Sequence, residues 1–188
     1  MPNSNLLIKS SLKAYRPFNE QEEKDKTQML NFVKKFDDVT TRNNTFGHFT
    51  ASAFILNKEH NKMLVVEHKL FSAWIYPGGH ADGEANLLNV AMREAEEETG
   101  IQPKVLDKTY YGIQSLPIAG HIKHGTYVSA HSHFDVIFLM EADEKEILTY
   151  REDESNGIKW INLNEATDNS IWEPVRPIHR KLIEKLNS

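Results

Sequence analysis

This chain is best understood from residues 77–101, which read PGGHADGEANLLNVAMREAEEETGI. Asn86 is a favoured N-cap residue, and Gly100 readily adopts the left-handed conformation found just past a helix C-terminus. The pattern therefore predicts one helix between these two residues. At about 100° per residue, its apolar face is formed by Leu87, Leu88, Ala91, Met92 and Ala95.

An acidic arc lies beside this apolar face. Glu94, Glu97 and Glu98 are spaced i, i+3 and i+4, so their like charges repel by roughly a few tenths of a kcal/mol per pair. They also occupy the last turns of the helix, where the macrodipole disfavours negative charge. A divalent cation such as Mg²⁺ or Mn²⁺ would turn this repulsion into coordination, since both ions prefer oxygen ligands. A solvated acidic face is the other interpretation, and the helix by itself leaves both open.

The turn before the helix favours the metal site. Pro77, Gly78 and Gly79 let the backbone approach a ligand closely and present amide groups to an anion. With this turn, the stretch resembles the Nudix box, G-x5-E-x7-R-E-U-x-E-E-x-G-U, in which U is a bulky apolar residue. Counting from Gly79, the box positions are occupied by Arg93, Glu94, Glu97, Glu98, Gly100 and Ile101.

Two positions depart from the family pattern. Ala95 fills a bulky apolar slot with a small side chain. Ala85 stands where the family has its first glutamate, with Glu84 one residue early. In family members that glutamate helps to hold the geometry between the loop and the helix, so its loss affects positioning more than metal binding. A binding or sensor module that has the fold without turnover therefore stays an alternative to an enzyme.

The resemblance extends beyond the box. The run Gly47–Ser52, followed by His68 and Trp74, resembles a bacterial Nudix subgroup. Over residues 46–188 it implies a Nudix-type α/β/α sandwich, an α/β fold with a mixed β-sheet between helices. Hydrophobic patterning predicts strands over 49–56, 62–68, 73–76, 104–115, 127–141 and 157–163, and a last helix from about Glu173.

Residues 1–45 are expected to form an N-terminal helical arm added to this domain. Asn19 followed by Glu22 predicts a capped helix. An apolar stripe follows at helical spacing, formed by Met29, Phe32, Val33 and Phe36. Such a stripe must be buried to offset the entropy lost when the helix is ordered. We expect it to pack over the sheet or against a second subunit, and we favour a homodimer.

Length and composition narrow the function classes. A chain of 188 residues fits one domain, and its 39% hydrophobic and 26% charged content is ordinary for soluble globular proteins. The net charge of −5 argues against a nucleic-acid partner, because phosphate contacts need a basic face. Cysteine is absent, and no apolar run reaches the roughly 18 residues of a membrane span. We therefore expect a cytoplasmic protein with no membrane partner.

Four histidines lie close together in the chain after the acidic helix: His121, His124, His131 and His133. Imidazole suits zinc, and the H-x-H pair would place both rings on one face of a strand. The alternative is a row of polar side chains along a substrate cleft. We favour the cleft, because the resembling subgroup also carries His and Asp before this strand.

The resemblance implies a Mg²⁺-dependent hydrolase, with Mn²⁺ as the alternative ion, that cleaves a phosphoanhydride bond in a nucleoside diphosphate linked to another group. Its metal ligands would be Glu94, Glu97 and Glu98, with Arg93 bracing the glutamates or the loop. Either Glu94 or a late acid, Glu154, would act as general base. The substrate would be bound by Gly78, Gly79, His80 and His133. The identity of the substrate stays open, and a histidine-based zinc protein is a third hypothesis.

Overall fold

The computed structural model describes residues 4–69, 73–123, 125–152, 155–167 and 176–188. Within these ranges the helices are α1 (Ser4–Ala14), α2 (Glu20–Lys35), α3 (Leu87–Thr99) and α4 (Arg176–Leu186), with a 3-10 turn at Glu165–Thr167. The strands are β1 (Gly47–Asn57), β2 (Lys62–His68), β3 (Ala73–Ile75), β4 (Gly78–His80), β5 (Lys104–Val105), β6 (Gly112–Ile118), β7 (His121–Lys123), β8 (Thr126–Val128), β9 (His131–Ala142) and β10 (Ser155–Asn162). No helix in the described part of the chain is long and apolar enough to cross a membrane.

Eight of these strands form one mixed sheet around β1. Strand β9 runs parallel to β1, from the pair Gly47 and Ser132 to the pair Asn57 and Ala142. The other described pairings of this sheet are antiparallel: β2 and β4 on β1, β3 and β10 on β2, and β5 and β6 on β9. A parallel pair needs a long crossover connection, and α3 lies within it. The predicted mixed sheet is confirmed.

Helices cover both faces of the sheet. Because side chains alternate along a strand, Phe49 and Phe134 face one side while Phe54 and Ile137 face the other. The first pair belongs to a hydrophobic cluster that includes residues of α1, α2 and α3. The second pair belongs to a cluster that includes Leu182 of α4. The predicted α/β/α sandwich is therefore confirmed.

The N-terminal arm packs on its own chain. Asn19 caps α2 as predicted, accepting a hydrogen bond of 3.0 Å from the backbone of the first helical turn. Met29, Phe32 and Val33 are buried, and the Phe32 ring lies 4.5 Å from that of Phe134, centroid to centroid. The stripe therefore covers the sheet, and its burial gives no reason to invoke a second subunit. The oligomeric state and the domain boundary near residue 45 stay predictions.

A buried ionic network ties the arm to the last helix. The Glu22 carboxylate is fully buried and lies 3.0 Å from Lys181 Nζ on α4. It also accepts hydrogen bonds from the Tyr15 hydroxyl and from the Phe18 amide. Burial opposes ionisation of Glu22, but Lys181 and these hydrogen bonds outweigh burial and lower the pKa of Glu22. Removing one partner of such a pair is costly, because the other charge is left buried and uncompensated.

Two of the predicted strands are wrong in detail. The strand predicted over 104–115 is two strands, β5 and β6, with an irregular segment between them. Pro117 lies inside β6, where it is tolerated because β6 pairs with β9 alone among the described strands. The strand predicted over 127–141 is divided into β8 and β9.

The helices also differ from the sequence predictions at two points. The first 18 residues carry no strong helix signal, yet they contain α1 with Ile8 and Leu12 fully buried. On α3, Met92 is 41% exposed and Val90 is buried in its place, because the helix is rotated so that its Glu98 side faces the sheet. Within the described residues the last helix spans Arg176–Leu186, and its predicted start at Glu173 lies outside them.

Candidate active site

The glycine strand and the acidic helix form one unit. The backbone N–H of Gly78 in β4 donates to Glu98 Oε2 at 2.9 Å, and Glu98 is only 4% exposed. A Cβ atom on Gly79 would lie 2.6 Å from Glu94 Oε1, so a glycine is needed there to leave room for the carboxylate. These two contacts fix β4 against α3.

Residues beside the departing box position brace the turn between β4 and α3. Asp82 adopts a positive φ of 45°, and Arg42 donates two hydrogen bonds of 2.7 and 2.8 Å to its carboxylate. Glu84 Oε1 accepts a hydrogen bond of 2.7 Å from the Asn86 amide, one residue before α3. Both contacts lie next to Ala85, where the family pattern has a glutamate. Arg42 comes from the segment before β1, so the turn is held partly from outside the box.

Two arginines offset the repulsion within the acidic arc. Arg93 Nη1 lies 2.7 Å from Glu94 Oε1 and 3.5 Å from Glu97 Oε2. Arg93 Nη2 donates to the His80 carbonyl oxygen at 3.2 Å, which links α3 to β4. Arg151 Nη1 lies 3.7 Å from Glu97 Oε2. Solvent screens these partly exposed ion pairs. The contacts agree with a bracing role for Arg93, which stays a prediction.

The three glutamates of the arc lie in different surroundings. The side chain of Glu94 is 12% exposed and that of Glu97 is 41% exposed, while Glu98 is buried. Their oxygens do not converge: the described side chains that form a group of three potential metal ligands are histidines. Mg²⁺ is usually held by one or two carboxylates, with waters and substrate phosphates completing its shell. The arc therefore fits Mg²⁺, and the assignment of all three glutamates as ligands stays a prediction.

The histidines that come together differ from the four grouped by sequence. His48 in β1, His80 in β4 and His133 in β9 each place one ring nitrogen within 4.8 Å of the other two. His131 joins them through a contact of 3.1 Å between its Nε2 and that of His133. His121 lies farther out, with its ring centroid 6.3 Å from that of His131.

Burial keeps His48, His80 and His133 uncharged. It lowers the pKa of His48 to about 4, that of His80 to about 3 and that of His133 to about 2. Neighbouring histidines and Arg42 add to the shift, because each would repel a protonated ring. At neutral pH each ring therefore presents a lone pair and no charge.

A buried carboxylate that the sequence analysis does not single out lies beside this group. Asp135 in β9 accepts hydrogen bonds from the Thr50 and Ser52 hydroxyls, both at 2.9 Å, and from the Gln114 amide at 3.0 Å. Burial raises the pKa of Asp135 to about 6 despite these hydrogen bonds. In the sequence, a polar residue stands at every second position near the starts of β1 and β9, and this alternation could have indicated a polar face of the sheet that includes Asp135.

Two of the predicted site residues, His124 and Glu154, lie outside the described residues. The other predicted members occur in two places. Arg93 and the three glutamates lie on α3, against the glycines of β4, whereas His80 and His133 lie in the histidine group on the other side of that strand.

Comparison with known proteins identifies the family. The profile of the NUDIX domain matches residues 47–186. The chain belongs to the Nudix family. The prediction made from the Nudix box is therefore confirmed.

The Nudix chain resembles proteins of several organisms. It is 28% identical over 104 residues to the asymmetrical bis(5'-nucleosyl)-tetraphosphatase of Rattus norvegicus, a match covering 55% of this chain and 65% of that protein, less than two thirds of it. It is 31% identical over 120 residues to the RNA pyrophosphohydrolase of Pelagibacter ubique (strain HTCC1062), covering 61% and 75%. The E. coli dihydroneopterin triphosphate pyrophosphohydrolase structure superposes with a TM-score of 0.58 at 14% identity, covering 80% and 100%. This structural likeness shows the fold.

Proposed function

We propose that this Nudix protein is a Mg²⁺-dependent pyrophosphohydrolase that cleaves a phosphoanhydride bond in a nucleoside diphosphate linked to another group. The observation that carries the proposal is the joint between β4 and α3, where Gly78 and Gly79 lie directly on the carboxylates of Glu98 and Glu94. At this joint, the acidic C-terminal part of α3 lies beside the backbone of the two glycines of β4. Phosphoanhydride hydrolysis requires charge neutralisation at phosphoryl oxygens and a positioned water, and this arrangement is suited to both.

Each residue at the joint has a proposed role. Glu97 and Glu98, with Glu94, would hold Mg²⁺, which when bound neutralises phosphoryl oxygens and lowers the pKa of a water molecule. The Gly78 amide orients the Glu98 carboxylate toward β4. Arg93 keeps Glu94 and Glu97 in one arrangement with the glycine strand. The general base is Glu94 or Glu154.

The substrate class is supported by the names of the two relatives. One is called a tetraphosphatase and the other a pyrophosphohydrolase, so both are named for hydrolysis within linked phosphates. We place the substrate against the polar ends of β1, β4 and β9, in contact with Gly78, Gly79, His80 and His133. The net charge of −5 favours a small nucleotide-derived compound over a nucleic acid.

The test is hydrolysis of a compound panel by the full-length protein, with phosphatase-coupled detection of phosphate. The panel contains a dinucleoside tetraphosphate, nucleoside triphosphates, a nucleotide sugar, ADP-ribose and a 5'-triphosphorylated RNA oligonucleotide. Turnover of one class that is lost with EDTA and restored by Mg²⁺ or Mn²⁺ supports the proposal. Binding of these compounds without turnover would favour the second candidate, a sensor module, for which Ala85 is the specific observation.

A homodimer and a cytoplasmic location also stay predictions. The location is expected from the absence of cysteine. Because the apolar stripe of α2 is buried within its own chain, a dimer would have to use another surface. Light scattering of the protein at micromolar concentration distinguishes a monomer from a dimer. A monomer at that concentration would rule out the dimer hypothesis.

A further inference from the structure

Three strands bring three histidines to one side of the sheet. His48 in β1 lies directly opposite His133 in the parallel strand β9, so both side chains point to the same face. His80 in β4 lies opposite Thr50 of β1 and shares that face. Ring centroids are 4.8 Å apart for His48 and His133 and for His80 and His133, and 5.1 Å apart for His48 and His80. The grouping is fixed by the register of the sheet.

The donor atoms are close enough to share one ion. One ring nitrogen from each histidine lies within 4.8 Å of the other two. A zinc–nitrogen bond measures about 2.0–2.1 Å, so two nitrogens bound to one tetrahedral ion are about 3.4 Å apart. Binding one ion therefore requires the rings to rotate so that separations of up to 4.8 Å shorten to this spacing.

His48 gives an independent indication of a ligand. It is 3% exposed, and neither ring nitrogen makes a hydrogen bond of adequate geometry with the described residues. The nearby Asn44 backbone favours protonation of His48, but it only partly opposes the effect of burial. An unpaired buried polar atom destabilises the folded state, and a coordinated metal ion removes that penalty.

The charges around the group favour a cation over an anion. The three rings are uncharged at neutral pH, and neutral imidazole is the form that coordinates metals. A phosphate or carboxylate ligand would instead need protonated rings, which burial disfavours. Arg42 would repel a cation, but its guanidinium is bonded at two points to Asp82, which offsets its charge.

We propose that His48, His80 and His133 bind a divalent transition-metal ion, with Zn²⁺ as the best match, at a site separate from the carboxylates of α3. A set of nitrogen donors selects Zn²⁺, Co²⁺ or Ni²⁺ over Mg²⁺, which prefers oxygen. Three protein ligands leave at least one coordination position open, so two of these histidines can bind the ion and still lie beside a substrate. The ion links β1, β4 and β9, and it thereby stabilises the glycine strand that contacts Glu98.

The experiment uses full-length protein freed of metal with a chelator. Zn²⁺ affinity is measured by competition with a chromophoric chelator, and Co²⁺ serves as a spectroscopic probe of the number and type of ligands. The wild type should bind one equivalent tightly, and His48→Asn, His80→Asn and His133→Asn should each weaken binding by on the order of a hundredfold. Zn²⁺ should also raise the Tm of the wild type more than that of any of the three variants at the same concentration.

Two histidines outside the group provide matched controls. His121 lies near its rim, and His60 contacts Glu141 at 2.8 Å beyond the other end of β1. His121→Asn and His60→Asn should keep wild-type Zn²⁺ affinity. Glu97→Gln should keep it as well, because the proposed site does not depend on α3. Failure of Zn²⁺ binding is therefore distinct from failure of the proposed hydrolase, which is read from turnover with Mg²⁺.

Unchanged Zn²⁺ affinity in all three histidine variants, or no tight site in the folded wild type, would overturn the proposal. Circular dichroism shows whether a variant has folded, and His80, which is only partly buried, is the position least expected to disrupt the core. If the variants do not fold, the Co²⁺ spectrum of the wild type decides. Intense visible bands of a four- or five-coordinate site support the proposal, and the weak spectrum of an octahedral ion with oxygen ligands contradicts it.

Discussion

The two sides of strand β4 carry two different kinds of chemistry. On the carboxylate side, Gly79 faces Glu94 of α3, near the end of the acidic helix. On the histidine side, His80 faces His48 and His133. Successive residues of a strand point to opposite faces, so a strand of three residues contributes to both sides.

The difference between the sides lies in donor type and hydration. The carboxylate side offers oxygens whose charges are offset by arginines close to solvent. The histidine side offers imidazole rings that burial keeps neutral, each with one nitrogen free to coordinate a metal ion. Arg93 touches both, since it pairs with Glu94 and donates to the His80 carbonyl oxygen. One short strand can therefore present separate sites to a hard and a borderline metal ion. A substitution on one side should leave the metal affinity of the other side unchanged.

The largest effect is expected on the carboxylate side. Glu97→Gln and Glu98→Gln should each reduce turnover on the order of a hundredfold or more, which corresponds to a rise of several kcal/mol in the activation barrier. Each variant removes a carboxylate charge proposed to hold Mg²⁺. The fold should persist and the metal-free Tm should change little, because weaker repulsion at the helix C-terminus is opposed by the loss of the arginine contacts of Glu97 or of the charged acceptor of the Gly78 amide. Steady-state kinetics on the hydrolysed compound and thermal melts measure both quantities.

Glu96→Gln is the matched control for these variants. Glu96 lies on the same helix but bonds the Gln102 side chain at 2.7 Å on the surface. Its replacement should leave turnover close to that of the wild type. Wild-type turnover in both Glu97→Gln and Glu98→Gln would remove the metal-site assignment.

A buried histidine outside the group separates the effect of burial from that of clustering. His179 on α4 is fully buried, its ring lies 5.5 Å from that of Tyr76, and burial lowers its pKa to about 4. In the unfolded chain the pKa of His179 keeps its ordinary value near 6.5. As the pH falls below 6.5, the unfolded chain therefore binds a proton at His179 while the native state does not. The stability tied to a neutral His179 is thus fully present above pH 6.5 and is lost as the pH falls toward 4.

Replacing that histidine should make the protein less sensitive to acid. Relative to His179→Gln, the wild type should lose about 2 kcal/mol of unfolding free energy between roughly pH 7.5 and pH 5. Urea unfolding of both proteins at the two pH values measures the difference. An equal pH dependence of the two proteins would show that His179 does not titrate as its burial indicates.

The carboxylate side could be predicted from sequence because its pattern is local. Asn86 caps α3, and Gly100 ends it with a φ of 75° and an N–H bonded to the Glu96 carbonyl, as their residue types indicate. Strand β2 has the predicted bounds, since its apolar run is flanked by turn residues. Within the predicted helical arm, the bounds of α1 could not be predicted, because its buried residues, Ile8 and Leu12, are too few to define a stripe.

The histidine side could not be predicted in the same way. His48, His80 and His133 are far apart in the chain, and only the pairing of β1 with β4 and β9 brings them together. Proximity in sequence instead grouped the histidines at 121–133, of which His133 alone belongs to the group of three. Sheet register is set by the whole hydrophobic pattern of the core, which a motif search does not use.

A smaller effect is expected where the carboxylate side meets the strand. The added Cβ of Gly79→Ala would lie 2.6 Å from Glu94 Oε1 and displace that carboxylate. Because the displaced atoms end a flexible side chain, the Tm should change little, while kcat should fall roughly tenfold through lost positioning. Gly157→Ala is the control, since Gly157 has no positive φ and its Cβ would meet only the edge of the Trp74 ring, at 3.3 Å. A wild-type kcat in Gly79→Ala would mean that this contact does not position Glu94 for the reaction.

The smallest effect is expected at Ala85, which departs from the family pattern. The turn is already braced by Arg42 on Asp82 and by Glu84 on the Asn86 amide. Ala85→Glu should therefore change turnover by no more than about threefold and the unfolding free energy by no more than about 0.5 kcal/mol.

A double-mutant cycle with Arg42→Gln tests whether bracing is the reason. If the introduced glutamate and Arg42 support the same turn, Arg42→Gln should reduce turnover less in the Ala85→Glu background than in the wild type, giving a coupling energy above about 0.5 kcal/mol. Additive effects would mean that the two residues act on separate features of the turn. An inert wild type together with turnover in Ala85→Glu would reverse the interpretation, because the alanine itself would then hold the protein in a binding-only state.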